Sequence, residues 1–214
     1  MSIMEMWKSN ALRTAVLVVL DMALISLGTL PWVVLGLLLL LIGMFLAYRQ
    51  GTYFGHEACA LLDNVRRVEA NSDHPGEQFD KKVLSRTWSV GRGIAGVLAA
   101  ALIPYLAGCV YLAAVMLDIS AVQMPARLVA LVLAMPFLPI LASWFDSFVE
   151  IHPAIVTLLL VSPFVLPLSI FAGYMQGPRL WARSEKAMAE GRRRARAKSR
   201  VAKKRPPKVA KPEI

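Results

Sequence analysis

Five apolar runs leave this chain few alternatives to a bundle of membrane helices. They cover residues 14–29, 32–48, 93–117, 128–145 and 154–175. A helix that crosses a bilayer needs roughly 20 apolar residues, so each run is near the length of one crossing. Residues 14–48 read as a single helix would be about 50 Å long at about 1.5 Å per residue, too long for one span. Gly28-Thr29-Leu30-Pro31 supplies the break, because glycine tolerates turn geometry and proline lacks an N–H. The first two runs are therefore expected to form a tight helical hairpin. Composition agrees: the chain is 57% hydrophobic and 18% charged, against about 45–50% apolar and about 25% charged for a soluble domain. The expected fold class is all-α: a polytopic α-helical membrane protein with four to five hydrophobic segments, a helical polar loop and a disordered basic C-terminal tail.

The charge is as unevenly distributed as the hydropathy. Eleven of the 24 Lys and Arg lie from Gly191 onward, against the single acid Glu213, so the tail alone carries the whole net charge of +10. The chain divides into an N-terminal segment with the first hairpin (1–48), an amphipathic loop (49–92), three membrane segments with proline breaks (93–176), and an interfacial helix with a polybasic tail (177–214). In the loop, Phe54, Ala58, Leu61, Leu62, Val65 and Val68 fall on one helical face. Asn71 to Gly76 stops that helix. Phe79, Val83, Leu84 and Trp88 suggest a second amphipathic stretch, and the two are expected to lie on the membrane surface or on each other. The third run opens with small residues over 93–101, a face suited to close approach by other membrane subunits. Pro104 should kink that run. Pro136 and Pro139 should break the fourth, and Pro163 and Pro167 the fifth.

Basic loops tend to stay in the cytoplasm, and here they set a puzzle. The N-terminal segment, the 49–92 loop and the tail are all basic. Three apolar runs separate the loop from the tail, an odd number. Either one of the last two runs is re-entrant or interfacial, with the short, two-proline run 128–145 the preferred choice, and four crossings leave both termini inside. Or all five runs cross, and the N-terminus lies outside. Both readings put the tail in the cytoplasm, and the expected location is a bacterial inner or plasma membrane. Met1–Asn10 does not resemble a secretory signal, so the N-terminus is expected to be retained.

Few residues point to chemistry. Asp21 interrupts the first run. A charge near the bilayer centre costs about 2.5–3.5 kcal/mol on insertion scales, so Asp21 should face protein or water, as a structural hydrogen-bonding group or as a proton or cation site. Arg13 can snorkel to the interface. His56 and Cys59 lie three apart, but a closed metal site wants four ligands, and no metal or cofactor is expected. Cys59 and Cys109 are expected to be thiols rather than a disulfide. No phosphate-binding glycine loop, nucleophile elbow or paired-carboxylate pattern is found. The expected role is non-enzymatic: an accessory, scaffold or assembly protein. The alternative is a small transporter or channel using Asp21 and proline-broken helices.

The tail residues Arg192, Arg193, Arg194, Arg196, Lys198, Arg200, Lys203, Lys204 and Arg205 are expected to contact anionic lipid, or else ribosomal or other RNA. Trp88 and Trp181 are expected to anchor their segments at the headgroups. In gross features (about five apolar segments, a charged helical loop, a basic tail that meets the ribosome) the chain is similar to the membrane insertases. Its long loop follows the second run instead, and none of that family's motif residues is matched.

Overall fold

The structure, a computed structural model, describes residues 3–71, 81–139 and 153–204. Seven α-helices carry the described residues: α1 (Ile3–Ile25), α2 (Thr29–Ala70), α3 (Lys81–Leu84), α4 (Val90–Met116), α5 (Ser120–Ala134), α6 (Pro153–Met175) and α7 (Gly177–Lys204). A 3₁₀ turn, Met135–Phe137, follows α5. Three stretches are long and apolar enough to cross a membrane: α2, α4, and Thr157–Arg196, which joins most of α6 to the first part of α7.

The α1–α2 turn falls at the expected place, with Gly28 at a φ of +95°, a conformation other residues rarely adopt. Beyond it the fold departs from the hydropathy reading. The second apolar run and the first loop helix are one helix of 42 residues, about 63 Å long at about 1.5 Å per residue. Hydropathy changes at Arg49, but no proline or turn residue interrupts the backbone until Asn71, so the helix continues. Of the second amphipathic stretch, α3 is a single turn and residues 85–89 are not helical; Phe79 lies outside the described residues. The segment after it is tied to α2 where the Trp88 N–H donates to the Ala58 carbonyl, at 3.1 Å.

Glycines set the helix directions. Leu17 fills the space over Gly43, and the Asp21 carboxylate lies against Gly36, so α1 and α2 are antiparallel. A Cβ on Gly51 would overlap the Ile170 carbonyl oxygen, and one on Gly55 the Tyr174 carbonyl oxygen, so α2 and α6 run parallel. Gly93 meets Phe171 and Tyr174, while Gly108 meets the Leu159 carbonyl, so α4 is antiparallel to α6. The start of α1, the start of α4 and the end of α6 therefore share one end of the bundle with the middle of α2. The small residues of 93–101 are used within the chain: Gly96 packs on Met6, and Gly93 on Phe171.

α5 sits at the opposite end, where Tyr111, Ala130, Ala134 and Leu159 form a buried cluster. Phe137, in the turn that follows, reaches the main core of Leu17, Leu40, Ala47, Leu166 and Ile170. The segment thus enters from the end where α4 stops, and α6 starts from that same end. The break expected at Pro136 is present as the 3₁₀ turn; residues 140–145 of that run lie outside the described residues. The expected breaks at Pro163 and Pro167 do not occur. α6 is continuous through both, and α4 is continuous through Pro104. A proline removes one N–H, and the remaining intrahelical hydrogen bonds retain the helix around it, with neighbouring helices and Ser or Thr side chains able to serve the freed groups.

The tail also differs from expectation. α7 runs without interruption from Gly177 through Gly191 to Lys204. The first part of the basic segment is helical, where a disordered tail was expected; residues 205–214 lie outside the described residues.

Candidate functional site

The bundle carries a belt of exposed apolar side chains. On α2 it runs from Leu30 to Tyr48, with Tyr53 exposed beyond, and it includes Leu98 and Leu106 on α4 and Leu168 and Met175 on α6. From Leu30 to Tyr48 the rise is about 27 Å, close to the hydrocarbon thickness of a bilayer. Below the belt, α2 continues for 22 residues to Ala70.

α7 lies along this extension and runs parallel to it. The contact starts backbone to backbone, where Gly177 abuts Gly55. Further out, His56 Nε2 lies 3.2 Å from Ser184 Oγ, and the His56 ring meets Trp181 edge-on at 5.2 Å between centroids. Beyond that, the Arg67 guanidinium bridges Asp63 on its own helix and Glu185 on α7, both at 2.7 Å. These are three different contacts in sequence: small residues, an aromatic pair and a charge bridge. Together they hold α7 to α2 as a two-helix arm. A cleft of about 480 Å³ between the helices is lined by Asp63, Arg67, Trp181, Arg192, Arg193 and Arg196, among others.

The base of the arm is closed by a second aromatic contact. Trp88 stacks on Tyr174 at 6.2 Å between centroids. The Tyr174 hydroxyl accepts the Ser89 N–H at 3.1 Å. Arg92 donates to the Thr87 carbonyl at 2.6 Å and to its hydroxyl at 2.7 Å. The residues leading into α4 are thereby fastened to the end of α6.

The sequence-derived candidates are placed unevenly. Trp88 and Trp181, expected at the headgroups, are both half-buried, and each makes its ring contact with the protein. Arg192, Arg193, Arg194 and Arg196 are exposed on α7. Lys198, Arg200, Lys203 and Lys204 belong to the same helix by backbone, and Arg205 lies outside the described residues. Cys59 and Cys109 are free thiols, on α2 and α4, and Cys59 is buried. His56 turns to Ser184, and among the described residues no three metal-ligating side chains cluster.

Asp21 is far from the arm, near the opposite end of the bundle. It is 1% exposed. Its Oδ1 stands about where a Gly36 Cβ would make a 3.0 Å contact, with Pro139 beside it, and it has no hydrogen-bond partner among the described residues. Arg13, read as an interfacial side chain, donates to the Gln50 side-chain carbonyl, which also accepts from Ser9 at 2.6 Å. This polar set joins α1 to α2 at the edge of the apolar belt.

The sequence reading did not find the glycine pairs that hold the arm. The signal was present: Gly51 and Gly55, and Gly173 and Gly177, each four residues apart, the spacing that lets two helices touch backbones. The long polar pairings His56–Ser184 and Arg67–Glu185 carry no such signal. Comparison of the chain with protein-family models, curated proteins and solved structures gives no match.

Proposed function

We propose that this is a polytopic membrane protein of accessory, scaffold or assembly type, with four crossings and a cytoplasmic two-helix arm as its working part. The observation that carries this reading is the parallel pairing of the α2 extension with α7, locked at three successive levels outside the apolar belt. Such an arm suits a protein that must present a basic helix at a set distance from a bilayer.

The four-crossing reading rests on the helix directions. α1, α2, α4 and α6 alternate in direction, so their polar ends at the arm are shared. α4 ends and α6 begins at the other end, and α5 packs there against both, which favours the reading in which the run 128–145 does not cross. The N-terminus, the 49–92 segment and the tail then all lie in the cytoplasm, as their cations favour. Anionic lipid remains the partner composition alone suggests for the tail, but the course of α7 along α2 supports a partner met away from the headgroups.

A second reading has one specific support. Asp21 is a buried carboxylate with an oxygen lacking a partner among the described residues, as a proton or cation site would have. The helices flanking such a site would be continuous, since α6 is not broken. Flux measurements separate the two. In proteoliposomes the accessory reading predicts proton, sodium and potassium leaks equal to those of empty vesicles. A flux that disappears in Asp21→Asn contradicts it and establishes the transport reading.

A further inference from the structure

The first turns of α7 hold one face against α2 and turn another outward. Trp181, Ser184 and Glu185 touch α2 through His56 and Arg67. Arg179 and Arg183 each stand two residues from Trp181, about 200° around the helix, and both are exposed. We propose that these two arginines form a docking site for the headgroup phosphate of an anionic phospholipid.

Depth identifies the occupant. At the foot of the arm the apolar surface ends at Tyr53 on α2 and Met175 on α6, both exposed. Tyrosine is a side chain that settles at the headgroup level. Gly177 abuts Gly55, two residues beyond Tyr53. With α7 following α2, Arg179 is about 6 Å past the level of Tyr53 and Arg183 about 12 Å, at about 1.5 Å per residue. The headgroup layer is about 5–8 Å thick on each side of the hydrocarbon. An arginine stem can lay its guanidinium back toward that layer. Arg179 stands within the layer, and Arg183 lies within a Debye length, about 8 Å, of its edge. Arg193 and Arg194 stand about 27 Å and about 28 Å out on the same count, where headgroup charge is screened.

The chemistry of the pair suits a phosphate that is already held in place. Arginine presents a planar fork that matches phosphate oxygens two at a time. Glu185 is the one acid between Gly177 and Ala189, and it is engaged with Arg67 on the side turned to α2. The pair lies on an exposed, convex helix face, where two forks hold a free phosphate only weakly. A phospholipid is kept at that level by its chains, which gives its phosphate a high effective concentration there. Net charge then selects among lipids, because a zwitterionic headgroup carries its own cation beside the phosphate. The Gly55–Gly177 and His56–Trp181 contacts fix the rotation of α7. The forks are thus held outward, and less ordering is left to oppose binding.

The proposal rests on the arm reading above, through the course of α7 along α2. A wrong sidedness would show in cysteine labelling and leave lipid selectivity unchanged, so the two can fail separately. The experiment titrates the full-length protein in detergent with phosphatidylglycerol or phosphatidylcholine and follows the first bound lipid by native mass spectrometry. Phosphatidylglycerol is expected to bind about tenfold more tightly or better, as two cations near an anionic headgroup imply. Arg179→Gln/Arg183→Gln is expected to weaken phosphatidylglycerol by about tenfold or more and to leave phosphatidylcholine within about twofold. The charge-matched pair Arg193→Gln/Arg194→Gln, further out on the same helix, is expected to change either lipid by less than about threefold. Equal affinities for the two lipids, or equal losses from the two pairs of substitutions, would overturn the proposal. Displacement of the lipid by millimolar inorganic phosphate would also overturn it, by marking a soluble anion as the occupant.

Discussion

Gly51 of α2 meets Ile170 of α6 backbone to backbone: a Cβ at position 51 would overlap the Ile170 carbonyl oxygen. The α2–α6 contact therefore has no slack for even one methyl group. Gly51→Ala is expected to push the helices apart and to cost about 1–3 kcal/mol, the usual range for overpacking. Gly191→Ala is the control, since nothing stands within 4 Å of its Cβ position and the residue lies inside a helix, where alanine is favoured by about 0.5–1 kcal/mol. Thermal unfolding in detergent should fall for the first and hold or rise for the second. Equal effects at both sites would mean that the backbone contact is absent.

Much of the frame could be read before the structure. The hairpin at Gly28 follows from local turn chemistry, and the helical class from run lengths. The end of α2 was missed because hydropathy reports the environment of a helix rather than its continuity, and Arg49 changes only the former. The proline positions misled for a related reason: a proline removes one hydrogen bond, and the others still hold the helix. The arm was invisible because its partners, His56 with Ser184 and Arg67 with Glu185, are ordinary surface residue types far apart in sequence. Only the glycines four apart could have announced it.

The Arg67–Glu185 bridge is half exposed on both sides, at 58% and 50%. It should be weak. A double-mutant cycle with Arg67→Ala and Glu185→Ala is expected to give a coupling of about 0.2–1 kcal/mol that fades with added salt. A coupling several times larger would show that the arm is held by charge rather than by the Gly55–Gly177 contact.

The Tyr174 hydroxyl accepts the Ser89 N–H at the base of the arm. Tyr174→Phe keeps the ring against Trp88 and removes that acceptor together with the hydroxyl's longer donation to the Ser89 carbonyl, at 3.4 Å. The expected loss is about 1 kcal/mol, the typical net value of one hydrogen bond, seen as a lower unfolding temperature. An unchanged temperature would mean that the Ser89 N–H is equally well served by water.

Asp21 is buried, and its Oδ1 has no partner among the described residues. A buried carboxylate without compensation is destabilising. Asp21→Asn keeps the shape and removes the charge, so thermal stability is expected to stay level or rise. A clear fall would show that the carboxylate is satisfied in the native protein by an ion or a charged partner.

The central claim is that the N-terminus, the turn after α2 and the end of the basic helix share one side of the membrane. Single cysteines at Ser2, Ser72 and Val209, and at Asp118 between α4 and α5, in a Cys59→Ala/Cys109→Ala background, report each side by labelling with an impermeant maleimide in intact cells and after lysis. The account predicts that positions 2, 72 and 209 label only after lysis and that position 118 labels from outside. Labelling of position 72 from outside, with position 209 still protected, would contradict it and put an odd number of crossings between the arm's two helices.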